Sequence, residues 1–168
     1  MNRIDQNSIT IQPAEPDQAG LLLQMIRELA DYEKLLHQVT ASEADIRRTL
    51  FANDRRAEPL IVTADGKPAG FAVFFHNYST FLGKNGLYLE DVYVRPEFRH
   101  RGVGGAILKY LAGVARERDC GRFEWAVLDW NEPAIRFYRS LSAEPQVDWT
   151  VYRLEQEGIA KLAGQGEP

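Results

Sequence analysis

Val92-Tyr-Val-Arg-Pro-Glu-Phe-Arg-His-Arg-Gly102-Val-Gly-Gly-Ala106 is the stretch on which the reading of this chain turns. A strand through Val92 and Val94 stops at Pro96, enters a basic turn and re-emerges as a glycine-rich helix start. Small residues there let a ligand approach bare backbone N–H groups, and the helix dipole favours negative charge. Arg99 and Arg101 add formal positive charge, so a phosphate or pyrophosphate is the natural guest. A plainer reading is that the glycines only permit tight helix–strand packing while the arginines face solvent. The turn by itself leaves both open. A P-loop needs Gly-x-x-x-x-Gly-Lys-Ser/Thr, which is absent. A dinucleotide fingerprint needs glycine at 107, where Ile107 stands, and its place is the first strand of a parallel unit rather than after a hairpin.

Outward from the turn, Val103, Ile107, Tyr110, Leu111 and Val114 share one helical face, and Gly121 stands as the stop. Phe123 to Leu128 reads as a strand. Asn131-Glu-Pro-Ala starts a short helix with Pro133 in its first turn, and Trp149 to Leu154 reads as a final strand. On the N-terminal side, Leu87 to Val94 alternates as a strand. Pro59 to Ala64 and Ala69 to His76 form a hairpin joined by the turn Asp65-Gly66-Lys67-Pro68. Thr40-Ala-Ser-Glu43 matches a capping box opening a helix toward Leu50. Leu21, Leu22, Met25, Ile26 and Leu29 form an apolar helical stripe, and Ser8 to Gln12 alternates as the first strand. The predicted order is β-α-α-β-β-β-α-β-α-β, an α/β (α+β) mixed sheet covered by helices. No repeat or linker divides it, so residues 1–168 are expected to form one domain with polar termini at 1–7 and about 156–168.

Composition agrees with an ordinary globular chain. Of 168 residues 45% are hydrophobic, 11% aromatic and 26% charged. By surface scaling, roughly 70% of the unfolded chain's surface is hidden on folding at this size. The 20 Lys plus Arg against 24 Asp plus Glu give a net charge of −4, which disfavours a nucleic-acid binder. The apolar stretches are too short to cross a bilayer, so no membrane partner is expected. Cys120 is the single cysteine. That count and an N-terminus lacking a signal-peptide pattern predict a cytoplasmic protein. His37, His76 and His100 lack metal-ligand spacing, and no HExxH occurs, so no metal is expected.

Arg99-x-x-Gly102-x-Gly104 resembles the acyl-CoA pyrophosphate motif of the GNAT family of N-acetyltransferases, whose element order matches nearly the whole chain. The resemblance tightens at Leu87-Tyr-Leu-Glu-Asp-Val-Tyr-Val94, at Asp129-Trp-Asn-Glu-Pro-Ala-Ile-Arg-Phe-Tyr138 and at Glu28-Leu-Ala-Asp-Tyr-Glu33. Together these look like the diamine (spermidine/spermine) acetyltransferase branch, which includes enzymes acting on thialysine.

The resemblance implies an acetyl-CoA-dependent enzyme, without a metal, that acetylates a primary amine of a small di- or polyamine. Two alternatives are a lysine-like side chain such as that of thialysine, or a CoA-binding sensor without catalysis. Acetyl-CoA would meet Val92, Tyr93 and Val94, the turn Arg99, His100, Arg101, Gly102, Val103, Gly104 and Gly105, and then Asn131, Glu132, Pro133, Ala134 and Leu141. Asn131 equally fits a plain helix cap. Tyr138 would be the general acid that protonates the leaving thiolate, although its spacing with Ala134, Phe137 and Leu141 alone reads as core. Glu90 would take a proton from the amine or hold a distal ammonium. Because alternation sends Glu90 and Asp91 to opposite faces, only one is expected to face the cleft. Tyr32, Glu33, Glu124, Trp125, Ala126 and Asp148 match other acceptor positions, with Trp149 a looser match. Ser140-Leu141-Ser142 stands where the family often has basic residues and a glycine. Family analogy also implies a homodimer.

Overall fold

A computed structural model of the chain describes residues 8–164. Two compact units divide it, residues 1–126 and 127–168, and the whole sheet lies in the first. β1 (Ile9–Pro13), β2 (Glu58–Ala64), β3 (Lys67–Ser79), β4 (Lys84–Val94) and β5 (Arg122–Trp125) lie side by side in sequence order. β1 to β4 are antiparallel, and β5 joins β4 in parallel. The β2–β3 turn lies where predicted but is tighter than the four residues Asp65 to Pro68, because Lys67 and Pro68 already pair in β3. Ala64 pairs with Lys67, and Asp65 and Gly66 between them both hold positive φ, as a type I′ turn requires.

Helices cover both faces, which explains the continuous apolar runs of β2 and β3. On one face α1 (Ala19–Tyr32) and α2 (Glu43–Leu50) pack Leu22, Leu23, Met25 and Ile46 against Ile61, Phe71, Val73 and Tyr93. Residues of opposite parity, including Leu60, Val62 and Ala72, turn to the other side of the sheet. There α3 (Val103–Glu117) buries Val103, Ile107, Leu108 and Leu111. Within the sheet, β3 and β4 approach closely at Gly70, where a Cβ would stand 2.2 Å from the Tyr93 carbonyl oxygen.

Several boundaries differ from the sequence reading. β5 ends at Trp125, and residues 126–128 of the predicted strand Phe123 to Leu128 are not in it, since β4 pairs with β5 only as far as Leu89↔Trp125. The capping box of α2 is Ser42 with Asp45, not Thr40 with Glu43: the Ser42 Oγ accepts from the Asp45 N–H at 3.2 Å, and Asp45 accepts from the Ser42 N–H at 3.0 Å. At the end of α3 the left-handed position is taken by Asp119, with φ 51°. Gly121 lies further on, where a Cβ would meet the Leu82 side chain at 2.8 Å.

The second unit carries α4 (Glu132–Ser140) and α5 (Gln156–Leu162). The order therefore ends in a helix, and the predicted strand at Trp149 to Leu154 does not form. A strand needs a neighbour to pair with, and among the described residues of this unit there is no other strand. No described helix is long and apolar enough to cross a membrane. Residues 1–7 and 165–168, all of the predicted N-terminal polar segment and the end of the C-terminal one, lie outside the described residues.

Candidate functional site

The site is built on an irregularity of β4. Val73 pairs with Asp91 and Phe74 with Leu89, so Glu90 is an extra residue, a β-bulge. The bulge interrupts strict alternation at this point, so Glu90 and Asp91 differ in their surroundings. Glu90 is exposed, whereas Asp91 is half-buried by area with its carboxyl largely desolvated. Burial first, then the charges of Glu90 and Glu33, push the Asp91 carboxyl up to about 6. Glu33, at the C-cap of α1, is itself raised by burial. Asp91 thus feels carboxylates from two elements, Glu90 beside it on β4 and Glu33 at the end of α1. Asp91 is the one that sequence reasoning passed over, because alternation left room for a single carboxylate and the resemblance chose Glu90.

The bulge also marks where the sheet opens. β5 pairs with β4 only from Gly86↔Arg122 to Leu89↔Trp125. From Glu90 to Val94 no described strand pairs with that edge of β4. On β5, the Glu124 carboxylate is held by the Arg122 guanidinium at 2.7 Å and by the Asn77 amide at 2.8 Å. Trp125 lies edge-on to Phe123, with centroids 4.9 Å apart. Ala126 closes the first unit.

β4 leads directly into the basic turn. Gly102 is the N-cap of α3 with φ 82°, and no side chain caps the helix, so its first N–H groups are left to other partners. A Cβ built at Gly102 or Gly105 would meet nothing within 4 Å. Tight packing therefore does not explain these two glycines; at Gly102 the left-handed backbone favours a residue without a side chain. His100 also holds a positive φ, 59°, unusual for a residue with a side chain. The arginines are already engaged. Arg99 donates Nε to the Val94 carbonyl at 2.9 Å, and its guanidinium lies 4.7 Å from the Tyr32 ring centroid and 5.8 Å from that of Tyr93. Arg101 pairs with Asp65 in the β2–β3 turn and lies over Phe98.

In the second unit Asn131 caps α4, its Oδ1 accepting from the Ala134 N–H at 3.3 Å, with Pro133 in the first turn. Tyr138 is half-buried beside Phe137, centroids 5.5 Å apart. Its carbonyl accepts from Leu141 at 3.0 Å and Ala143 at 3.2 Å. Ser142 takes a positive φ of 61°. Glu132, Leu141 and Asp148 are exposed. Tyr32, Glu33, Glu90, Val92 to Val94, the turn and β5 thus share the first unit, whereas Asn131 to Ala134, Tyr138, Leu141 and Asp148 belong to the second. Among the described residues no group of His, Cys, Asp and Glu could hold a metal ion.

A model of the acetyltransferase (GNAT) family matches residues 23–142. Thialysine N-epsilon-acetyltransferase of Sus scrofa is 40% identical over 94% of this chain and 99% of its own length. Spermidine/spermine N(1)-acetyltransferase-like protein 1 of Homo sapiens is 30% identical over 97% of this chain and 25% of its own length. An integron cassette protein of V. cholerae has a solved structure that superposes with a TM-score of 0.79 at 26% identity, covering 93% of this chain and 98% of that one.

Proposed function

The chain belongs to the GNAT acetyltransferase family, and from that premise we propose that it acetylates a primary amine of a small di- or polyamine by direct attack on acetyl-CoA, with residues 1–168 acting as one catalytic domain. The observation that supports this most is the parting of β4 from β5 after Leu89, just upstream of the open glycine turn. A main-chain edge at Val92, Tyr93 and Val94 that no described strand covers, with only its Val94 carbonyl held by Arg99, suits the amides of a pantetheine arm. The uncapped turn from His100 to Gly105 suits a diphosphate, with N–H groups converging on it and Arg99 and Arg101 raising the local potential. Asn131, Glu132, Pro133, Ala134 and Leu141 are assigned to the same ligand.

Acetyl-CoA brings the acetyl group as a thioester. The chain's own residues handle the protons. An alkylammonium has a pKa near 10 and cannot attack until it loses a proton, so Glu90, directly or through water, removes it. A backbone N–H near Val92 and Tyr93 polarises the carbonyl oxygen under attack. Tyr138 then protonates the departing sulfur. Tyr32, Glu33, Glu124, Trp125, Ala126 and Asp148 bind the acceptor, and the acidic groups among them select a second cationic centre. A cytoplasmic homodimer completes the reading.

A thiol-release assay with acetyl-CoA tests it, using polyamines, lysine-like amino acids, aminoglycosides and peptide N-termini. Small diamines are expected to lead, and Tyr138→Phe should lower kcat by about a hundredfold or more. A preference for a peptide or an aminoglycoside overturns the acceptor. Fast thiol release that Tyr138→Phe leaves unchanged overturns the acid.

A further inference from the structure

Two arginines flank the 3₁₀ turn Pro96–Phe98, and each holds one carbonyl of the sheet and one side chain of α1. Arg95 donates Nε and Nη2 to the two carboxylate oxygens of Glu28 at 2.9 and 2.8 Å, and Nη1 to the Pro68 carbonyl at 3.2 Å. Arg99 repeats the plan on the Val94 carbonyl and the face of the Tyr32 ring. Glu28 and Tyr32 are four residues apart, hence on one face of α1. The Arg95–Glu28 pair is sheltered, with side chains only 17% and 29% exposed. The ion pair also holds the Glu28 carboxyl below its usual range and raises Arg95.

The helix body does not need this fastening. Ala19, Leu22, Leu23 and Met25 bury its first two turns, while in the last turn only Ala30 is buried. That last turn ends at Tyr32 and Glu33. A bidentate guanidinium–carboxylate pair fixes direction as well as distance, and a cation over a ring adds a second fixed point.

We propose that Arg95 and Arg99 are positioning residues that lock the C-terminal turn of α1 to the exit of β4, setting Tyr32 and Glu33 for the amine. The first arginine of the glycine turn thereby serves the acceptor side through Tyr32. This rests on the acetyl-transfer reading above.

Arg95→Met, Glu28→Gln and the double variant test it, assayed well below their melting temperatures. The expected result is an amine KM raised about tenfold in each, with acetyl-CoA KM changed by less than about twofold. The double variant should be no worse than Arg95→Met, because the two side chains act as one unit. Arg95→Lys, which keeps the charge without the fork, should recover only part of the loss. A lowered Tm with unchanged amine KM overturns the proposal, as do additive effects or an equal rise in both KM values. A wild-type protein that acetylates no amine refutes the parent reading instead. Hydrogen exchange then decides the lock itself: Arg95→Met must accelerate exchange at residues 30–35, and unchanged exchange there refutes it.

Discussion

Asp91 sits in a bulge with its carboxyl pushed up to about 6, from an ordinary value of 3.8, mainly by burial. The sign of its effect on stability follows directly. Below about pH 4 the acid is protonated in both the folded and unfolded chains and contributes nothing. As pH rises from 4 to 6 the unfolded chain gives up this proton and the folded one keeps it, so the folded state loses ground. Above pH 6 the loss is complete and amounts to about 3 kcal/mol at most. Asp91→Asn should therefore gain stability over the parent at pH 8 and nothing at pH 4, read by urea unfolding at both. The lowered carboxyls of Glu28 and Glu58 act in the opposite sense and cancel in that difference. An equal gain at both pH values would assign the effect to packing rather than charge. None of this was legible in the sequence, since burial at a bulge depends on a register that alternation does not encode.

The elements were readable wherever local chemistry alone decides them. The Asp65-Gly66 turn, the apolar stripe of α1 and the Pro133 start of α4 all formed where spacing placed them. Reading failed where two local signals competed. Thr40 to Glu43 and Ser42 to Asp45 have the same cap spacing, and the chain uses the second, in which Asp45 also pairs with Arg48. Ser42→Ala should lower Tm by about 2–4 °C, whereas Thr40→Ala should leave the cap intact. Thermal melts of the two variants check which box closes α2. Reading failed too where an element needs a distant partner. Trp149 to Leu154 has strand composition, but a strand exists only as part of a ladder. Val151 and Tyr152 are instead 87% and 93% exposed.

At the scale of the molecule, the order of elements up to α4 and a mixed sheet covered by helices were legible because each strand and helix announces its own period, whereas which strands lie side by side was not. The site was legible only through motifs. The glycine turn, Glu90 and Tyr138 were reachable by resemblance, while the engagement of Arg99 with Tyr32 was not, since nothing in the spacing joins residues 32 and 99. The proposed homodimer is checked by sedimentation, which should give twice the chain mass of 19.1 kDa; a single-chain mass refutes it. The stretch of β4 that runs free of β5 has a practical consequence for inhibitor design. Its donors and acceptors belong to the main chain, and only a proline can delete an N–H. A compound anchored along residues 90–94 would be shielded from resistance by ordinary point mutation, so its selectivity among related enzymes has to be engineered on side chains such as Tyr32 and Glu33.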